Sequence, residues 1–324
     1  MELITTVLLF ALGIVLIVKG GDMFVDAASW MAEVSGVPKL IVGATVVSIA
    51  TTLPELLVSS MAAMEGKADM AVGNAVGSVT ANLGLIMGIA LICIPSAIRR
   101  RDYLLKAVLM LGASAYLALA CSQGSLAVAG GAALLVIFVI AMADNVLSAR
   151  KAMLVEREAY GEGLIPRPGG KVVAANVVKF ALGAAGIIIG AQLLVDHGSV
   201  LARLIGVPER IIGVTVIAVG TSLPELVTTL TAIAKKQASL SAGNIIGANI
   251  IDLTLILPIC SLISGGSLPV ARQSVLVDIP ASFVVGALAM IPALLTRKFQ
   301  RWQGWALLAV YGLYLVITCS GVVG

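Results

Sequence analysis

Three acidic residues, Glu55, Glu225 and Asp252, stand deep inside apolar stretches of this chain. A carboxylate at the centre of a membrane helix costs about 2.5–3.5 kcal/mol on insertion scales. Such a group needs a proton or a bound cation to offset its charge. Oxygen donors surround all three in the sequence. Pro54 and Pro224 each precede a glutamate and lack an N–H. That frees the carbonyls of Ala50 and Gly220 and loosens those of Thr51 and Thr221. Thr51 precedes Glu55 by four residues, and Thr221 precedes Glu225 by four, so each pair shares a helical face. Thr52 and Ser222 add hydroxyls beside them. A second stripe reads Asn74, Ser78 and Asn82 at intervals of four, and its counterpart reads Asn244, Ala248 and Asp252.

Every donor in this set is oxygen, which favours a hard cation over zinc or copper. Calcium takes about 6–8 oxygens in flexible geometry, whereas magnesium demands a stricter octahedron. Two carboxylates balance one divalent ion, and the Thr51 and Thr221 carbonyls extend its shell. The hydroxyls of Thr52 and Ser222, with Asn82 and Asp252, suit small monovalent ions at sites of their own or shared with calcium. Two kinds of ion competing for the same carboxylates are thereby coupled. His197 is the only histidine, so a histidine metal site or proton relay is not expected. Cys93, Cys121, Cys260 and Cys319 form no CxxC pair and are expected to be small buried packing residues.

The elements that position these groups are membrane helices. Hydrophobic residues make up 60% of the chain and charged ones 12%, about half the charge of a soluble domain. Ten apolar spans are expected: Leu3–Lys19, Leu40–Met64, Met70–Ile94, Tyr103–Cys121, Leu126–Val146, Val172–Val195, Ile211–Ala234, Leu240–Ile263, Val275–Leu295 and Trp302–Thr318. The first lacks a basic start and is expected to be a retained helix. With ten spans, 17 of the 21 lysines and arginines fall on one side and four on the other. By the positive-inside bias the rich side is cytoplasmic and both termini lie outside. The expected location is the plasma membrane.

The chain also repeats itself. Shifted by 170 residues, 27 of the 73 positions from Phe10 to Asn82 are identical, including Leu53-Pro54-Glu55-Leu56 on Leu223-Pro224-Glu225-Leu226. Five spans per copy is an odd number, so the second copy enters the membrane from the opposite face. Inverted repeats of this kind mark secondary transporters, with the substrate site near mid-membrane. The expected architecture is all-α: a five-helix repeat over 1–146, a linker over 147–171, and an inverted five-helix repeat over 172–324.

At these motifs the sequence resembles the cation/calcium exchanger superfamily, and within it the small prokaryotic sodium/calcium exchangers. The family pattern is G-[ST]-S-L-P-E followed by G-N-x-x-G-S-N-x-x-[ND]. The first copy here runs Ala50-Thr51-Thr52-Leu53-Pro54-Glu55, then Gly73-Asn74 through Gly77-Ser78-Val79 to Asn82. The second runs Gly220-Thr221-Ser222-Leu223-Pro224-Glu225, then Gly243-Asn244 through Gly247-Ala248-Asn249 to Asp252. The resemblance implies ten helices and alternating access, with the first and sixth spans sliding against the rest. It implies calcium binding by Glu55 and Glu225 with Thr51 and Thr221. It implies sodium sites at Ser48, Ser78, Asn82, Ala218, Ser222 and Asp252. Ala50, Thr52, Val79 and Ala248 depart from the pattern. Ala248 matters most, because a serine hydroxyl is usual there.

Sodium/calcium antiport is therefore the expected function, with calcium and sodium as substrates and the lipid bilayer as surroundings. No cofactor, nucleic acid or obligate protein partner is expected, and no enzyme activity. Proton/calcium or another cation/proton exchange is the alternative, although proton-coupled relatives usually carry glutamate where Asn82 and Asp252 stand. A channel could use the same oxygens, but an inverted repeat points to alternating access. An intramembrane acidic protease would need a shared proton and a water path, and no role for the surrounding amides.

Overall fold

A computed structural model describes residues 2–160, 168–206, 220 and 222–320. Nearly every described element is a helix, because long uncharged runs must satisfy their backbone groups internally. In order these are α1 (Glu2–Ser35), α2 (Lys39–Thr51), α3 (Leu53–Met64), α4 (Ala68–Cys93) and α5 (Arg100–Ala120). Strand β1 (Ser125–Ala127) precedes α6 (Val128–Tyr160), α7 (Gly170–Leu204), α8 (Leu223–Ala234) and α9 (Ala238–Ile263). Strand β2 (Ser267–Pro269), α10 (Ser274–Thr296) and α11 (Arg301–Ser320) complete the order. Among the described residues, seven helices are long and apolar enough to cross a membrane, or eight if the bent pair α2 and α3 counts as one span. The expected seventh span is described only over its α8 end, and α11 covers the expected tenth.

Three elements exceed their expected length; one is α7, which runs past Val195 to Leu204. α1 continues past Lys19 to Ser35, because Gly20 and Gly21 serve close packing and do not break it. It stops where Gly36 takes φ 68° and Pro38 follows. α6 continues through the first part of the expected 147–171 linker to Tyr160. That stretch contains no glycine or proline and is rich in good helix formers.

The chain divides into two compact units, each drawing on both halves of the sequence. Unit 1 comprises 1–51 and 142–244, and unit 2 comprises 52–141 and 245–324. In unit 1, α1 and α7 lie against each other in opposite directions. A Cβ added at Gly13 would sit 3.0 Å from the Gly190 carbonyl oxygen, and one at Gly20 would sit 2.9 Å from that of Gly183. A shift of 170 exchanges these pairs, since Gly13 maps to Gly183 and Gly20 to Gly190. Phe24 stacks on Phe180 with ring centroids 4.4 Å apart. Phe24, Val25, Ala28, Val42, Val47, Ile187 and Leu240 form the core beneath. Outside it, Lys235 Nζ reaches Asp26 Oδ1 at 2.6 Å and Asp22 Oδ1 at 3.3 Å, while Lys179 reaches Asp26 Oδ2 at 3.1 Å. These ion pairs join α1 to α7 and to the end of α8.

In unit 2, β1 and β2 pair antiparallel, with Ser125 opposite Pro269. Ser261 Oγ on α9 donates to the Leu126 carbonyl at 2.8 Å. A single bridge between Ala97 and Lys298 joins the links α4–α5 and α10–α11. Shifted by 170, that bridge falls within one residue of the β1–β2 pairing. Gly84 lets the Tyr311 side chain approach, and Gly304 sits against the Gly88 carbonyl.

The repeat extends to backbone detail. α8 and α3 have matching limits 170 residues apart. Both end in a Schellman turn: Lys67 N–H donates to Ala62 O at 2.8 Å, and Gln237 N–H to Ala232 O at 2.7 Å. Gly66 takes φ 73° in the first turn. Lys236 adopts φ 59° in the second, an uncommon conformation for a side-chain-bearing residue.

Candidate functional site

In unit 2, Pro54 lies in the first turn of α3, where its missing N–H costs nothing. α3 starts directly after Thr52 and carries Glu55 in its first turn, 1% exposed. Asn74 Nδ2 on α4 donates to Ser59 Oγ at 2.9 Å and to the Glu55 carbonyl at 3.3 Å, fixing α3 against α4. Ser78 and Asn82 follow on the stripe, both buried. Asn82 opens a π-helical turn, Asn82–Met87, and Asp252 opens its counterpart, Asp252–Ile256. The latter turn packs against α3. Unit 2 thus brings together Thr52, Glu55, Ser78, Asn82 and Asp252, all at most 3% exposed. Asn82 Nδ2 donates to Asn249 Oδ1 at 3.2 Å. Among the described residues, Asn82 Oδ1 and Ser78 Oγ accept or donate no hydrogen bond, although both atoms are buried.

Unit 1 holds the remainder of the set. α8 begins with Pro224 in its first turn and carries Glu225, fully buried. It packs against the last turn of α2, Ser48–Thr51. Thr51 Oγ1 donates to Asn244 Oδ1 at 3.1 Å, which leaves the opposite repeat's stripe residue tied to this helix end. Ser48 Oγ donates to the Thr45 carbonyl at 3.1 Å. Ser222 Oγ is buried without a hydrogen-bond partner among the described residues. Thr221 and Ala218 lie outside the described residues. No group of three histidine, cysteine, aspartate or glutamate residues is present among those described. The donors are a mixture of carboxylate, amide and hydroxyl oxygens, which suits the hard-cation chemistry read from the sequence.

Three residues escaped the sequence reading. Asn249 orients the Asn82 amide; the signal was an amide in the second motif where the first has Val79. Thr228 and Thr229 stand one turn beyond Glu225, fully buried, with hydroxyls that lack partners among the described residues. Their spacing of three and four from Glu225 was the available clue. The cysteine expectation holds for Cys121 and Cys260 but fails for Cys93, which is exposed at the end of α4. The Cys319 side chain lies outside the description.

The fold defines a multi-pass, helical membrane protein, and each unit buries its own part of the oxygen-donor set read from the sequence. The chain belongs to the sodium/calcium exchanger protein family, which matches residues 5–145 and 175–320. It is 37% identical to the inner membrane protein YrbG of Escherichia coli over 82% of each chain. It is 31% identical to the sodium/calcium exchanger MaX1 of Methanosarcina acetivorans, covering 96% of this chain and 97% of that one. Among solved structures, the sodium-calcium exchanger NCX_Mj soaked in sodium without calcium superposes with a TM-score of 0.79. The identity is 28%, over 97% of this chain and 99% of that one. The family is one of transporters, not enzymes.

Proposed function

We propose that this protein exchanges Ca2+ for Na+ across the plasma membrane by alternating access. The observation that carries the reading is the duplicated proline-glutamate helix start. Each copy is buried, and each is packed beside carboxylate or hydroxyl oxygens from the other repeat: α3 by Asp252, α8 by Ser48 and Thr51. Glu55 and Glu225 hold calcium together, assisted by Thr51 and Thr221. Ser48, Thr52, Ser78, Asn82, Ala218, Ser222 and Asp252 supply sodium sites, some shared with calcium. Buried oxygens of Ser78, Asn82 and Ser222 that lack hydrogen-bond partners among the described residues support this, because a cation replaces the missing donor. A site emptied of both ions leaves uncompensated charge in the membrane, so the site crosses loaded with one ion or the other.

The architecture we propose is ten helices in two inverted halves, 1–146 and 172–324, joined by 147–171. The exchange of glycine pairs between α1 and α7 under the 170-residue shift supports it, as does the matching of the two inter-link pairings. The rich-side links then face the cytoplasm and both termini face outward. The ion pairs of Asp22 and Asp26 with Lys179 and Lys235 join residues that this topology puts on the same side. α1 and α7, which lie against each other along a long antiparallel contact, slide as a pair against the remaining helices.

Labelled calcium uptake into proteoliposomes tests the function. An imposed sodium gradient should drive uptake, and Glu55→Gln and Glu225→Gln should abolish it. Uptake driven only by a proton gradient, or undiminished in both variants, would overturn the reading.

A further inference from the structure

The two repeats use one asparagine differently. In the first, Asn74 Nδ2 clamps α4 to α3, through Ser59 Oγ at 2.9 Å and the Glu55 carbonyl at 3.3 Å. Shifted by 170 residues, Asn74 falls on Asn244, Ser59 on Thr229 and Glu55 on Glu225. A hydroxyl stands at both partner positions, so the second repeat carries the groups for the same clamp. The backbones agree as well. α8 occupies the positions of α3, and the helices that follow run Ala68–Ala81 and Ala238–Ile251. Both hairpins close in the same Schellman turn.

The second repeat nevertheless leaves its clamp open. Asn244 and Thr229 are fully buried, yet Asn244 Nδ2 and Thr229 Oγ1 each lack a hydrogen-bond partner among the described residues. Asn244 Oδ1 is engaged elsewhere, accepting from Thr51 Oγ1 at 3.1 Å. A buried polar group left unpaired costs about 1–3 kcal/mol. Here the donor and the acceptor sit on one hairpin, at positions whose equivalents are bonded in the other. Such a pair marks a bond that this conformation forgoes and another one makes.

Inverted repeats supply that other conformation. A transporter built of two inverted halves turns to the opposite side of the membrane when the halves exchange their arrangements. We propose that Asn244 is a two-position positioning residue of the transport cycle. In this structure its carboxamide holds Thr51 at the end of α2. In the opposite-facing conformation it turns to Thr229 Oγ1 and the Glu225 carbonyl, as Asn74 is turned to Ser59 and Glu55 now, and Asn74 lets go. The inference rests on the alternating access proposed above. Giving up the Thr51 bond frees the helix end whose carbonyl is assigned to calcium, so the α8–α9 hairpin and the calcium shell move in step.

The Asn244 side-chain amide reports its two positions directly. In the full chain labelled with 15N-asparagine in detergent, its resonance is the one lost in Asn244→Ala. It should be split or exchange-broadened in the unmodified chain. Thr229→Val keeps the side-chain shape, removes the hydroxyl and should leave only the Thr51-bound signal. A single sharp resonance that is the same in Thr229→Val overturns the proposal. Calcium exchange in proteoliposomes is the second readout. Thr229→Val removes a bond of the opposite-facing conformation, and Ser59→Ala removes one of the present conformation. Each should shift the ratio of half-saturating calcium at the two membrane faces about fivefold, in opposite directions. The double variant should return toward the unmodified ratio, which a merely structural loss at each position would not do. Thr229→Val in an Asn244→Ala background should leave the ratio unmoved. Shifts of the same sign in both single variants, or a Thr229→Val effect that persists without Asn244, overturn the proposal. Failure of the unmodified chain to take up calcium would instead overturn the exchange reading, and the amide resonance would still judge the switch.

Discussion

Replacing Gly183 by alanine should part α1 from α7. An added Cβ would lie 2.6 Å from the Phe24 backbone nitrogen and 2.9 Å from the Gly20 carbonyl oxygen. Ordinary contact begins at 3.4 Å, so the helices must separate by about 0.8 Å at that point. The near atoms are backbone, which has no rotamer through which to yield. Overpacking of this kind costs about 1–3 kcal/mol, partly offset by about 0.5–1 kcal/mol of helix propensity gained over glycine. The net expectation is a loss of about 1–2 kcal/mol. Gly112, on α5, is the internal control, because nothing lies within 4 Å of its added Cβ. Gly112→Ala should be neutral or stabilising. Thermal unfolding of both purified variants in one detergent, followed by tryptophan fluorescence, makes the comparison. Gly20→Ala combined with Gly183→Ala should cost less than the sum of the two, since helices already parted make room for the second methyl. A Gly183→Ala variant at least as stable as Gly112→Ala would refute the packing argument, and so would strict additivity.

Three more outcomes are expected. Ala248→Ser restores a hydroxyl at a fully buried position on the polar stripe; it should lower half-saturating sodium about fivefold, equivalent to about 1 kcal/mol, as read from sodium-dependent calcium uptake. A double-mutant cycle of Lys235→Gln with Asp26→Asn should give a coupling of about 0.2–1 kcal/mol that shrinks with salt, because both side chains are partly exposed. Burial works to lower the Lys235 pKa, but hydrogen bonds to Asp26 and Asp22 raise it above 10.5 overall. Its contribution is therefore complete below 10.5 and fades only as pH climbs past the raised value, so the coupling should be constant from about pH 6 to 9. Finally, Cys121 is buried, whereas Cys93 is exposed. In a Cys319→Ser background, an impermeant maleimide at neutral pH should label Cys93 from the cytoplasmic side only and leave Cys121 unmodified; labelling from outside would reverse the proposed orientation.

The proline-glutamate starts of α3 and α8 were legible because proline has one comfortable place in a helix and the repeat showed it twice. The stripe of Asn74, Ser78 and Asn82 was legible from its spacing alone. The extents of α1, α6 and α7 were not. Glycine reads as a break until its neighbour is known to need the space, and charged residues such as Arg150 end an apolar span without ending a helix. Asn249 was hidden for a related reason: spacing assigns a residue to a stripe, whereas its work is a lateral hydrogen bond to Asn82. The exposure of Cys93 depends on where α4 stops, and apolar patterning does not mark that point sharply.

The π-helical turns at Asn82–Met87 and Asp252–Ile256 carry a consequence for how such a chain can vary. Each turn holds one residue more than an α-turn, and each residue advances a helix by about 100°. The extra residue therefore sets the phase between the polar stripe before it and the packing surface after it, where Gly84 and Gly88 accept Tyr311 and Gly304. Deleting one residue there would leave either the stripe or the packing surface facing the wrong way. The number of residues in these turns is therefore as constrained as the identities of Asn82, Gly84 and Asp252 within them.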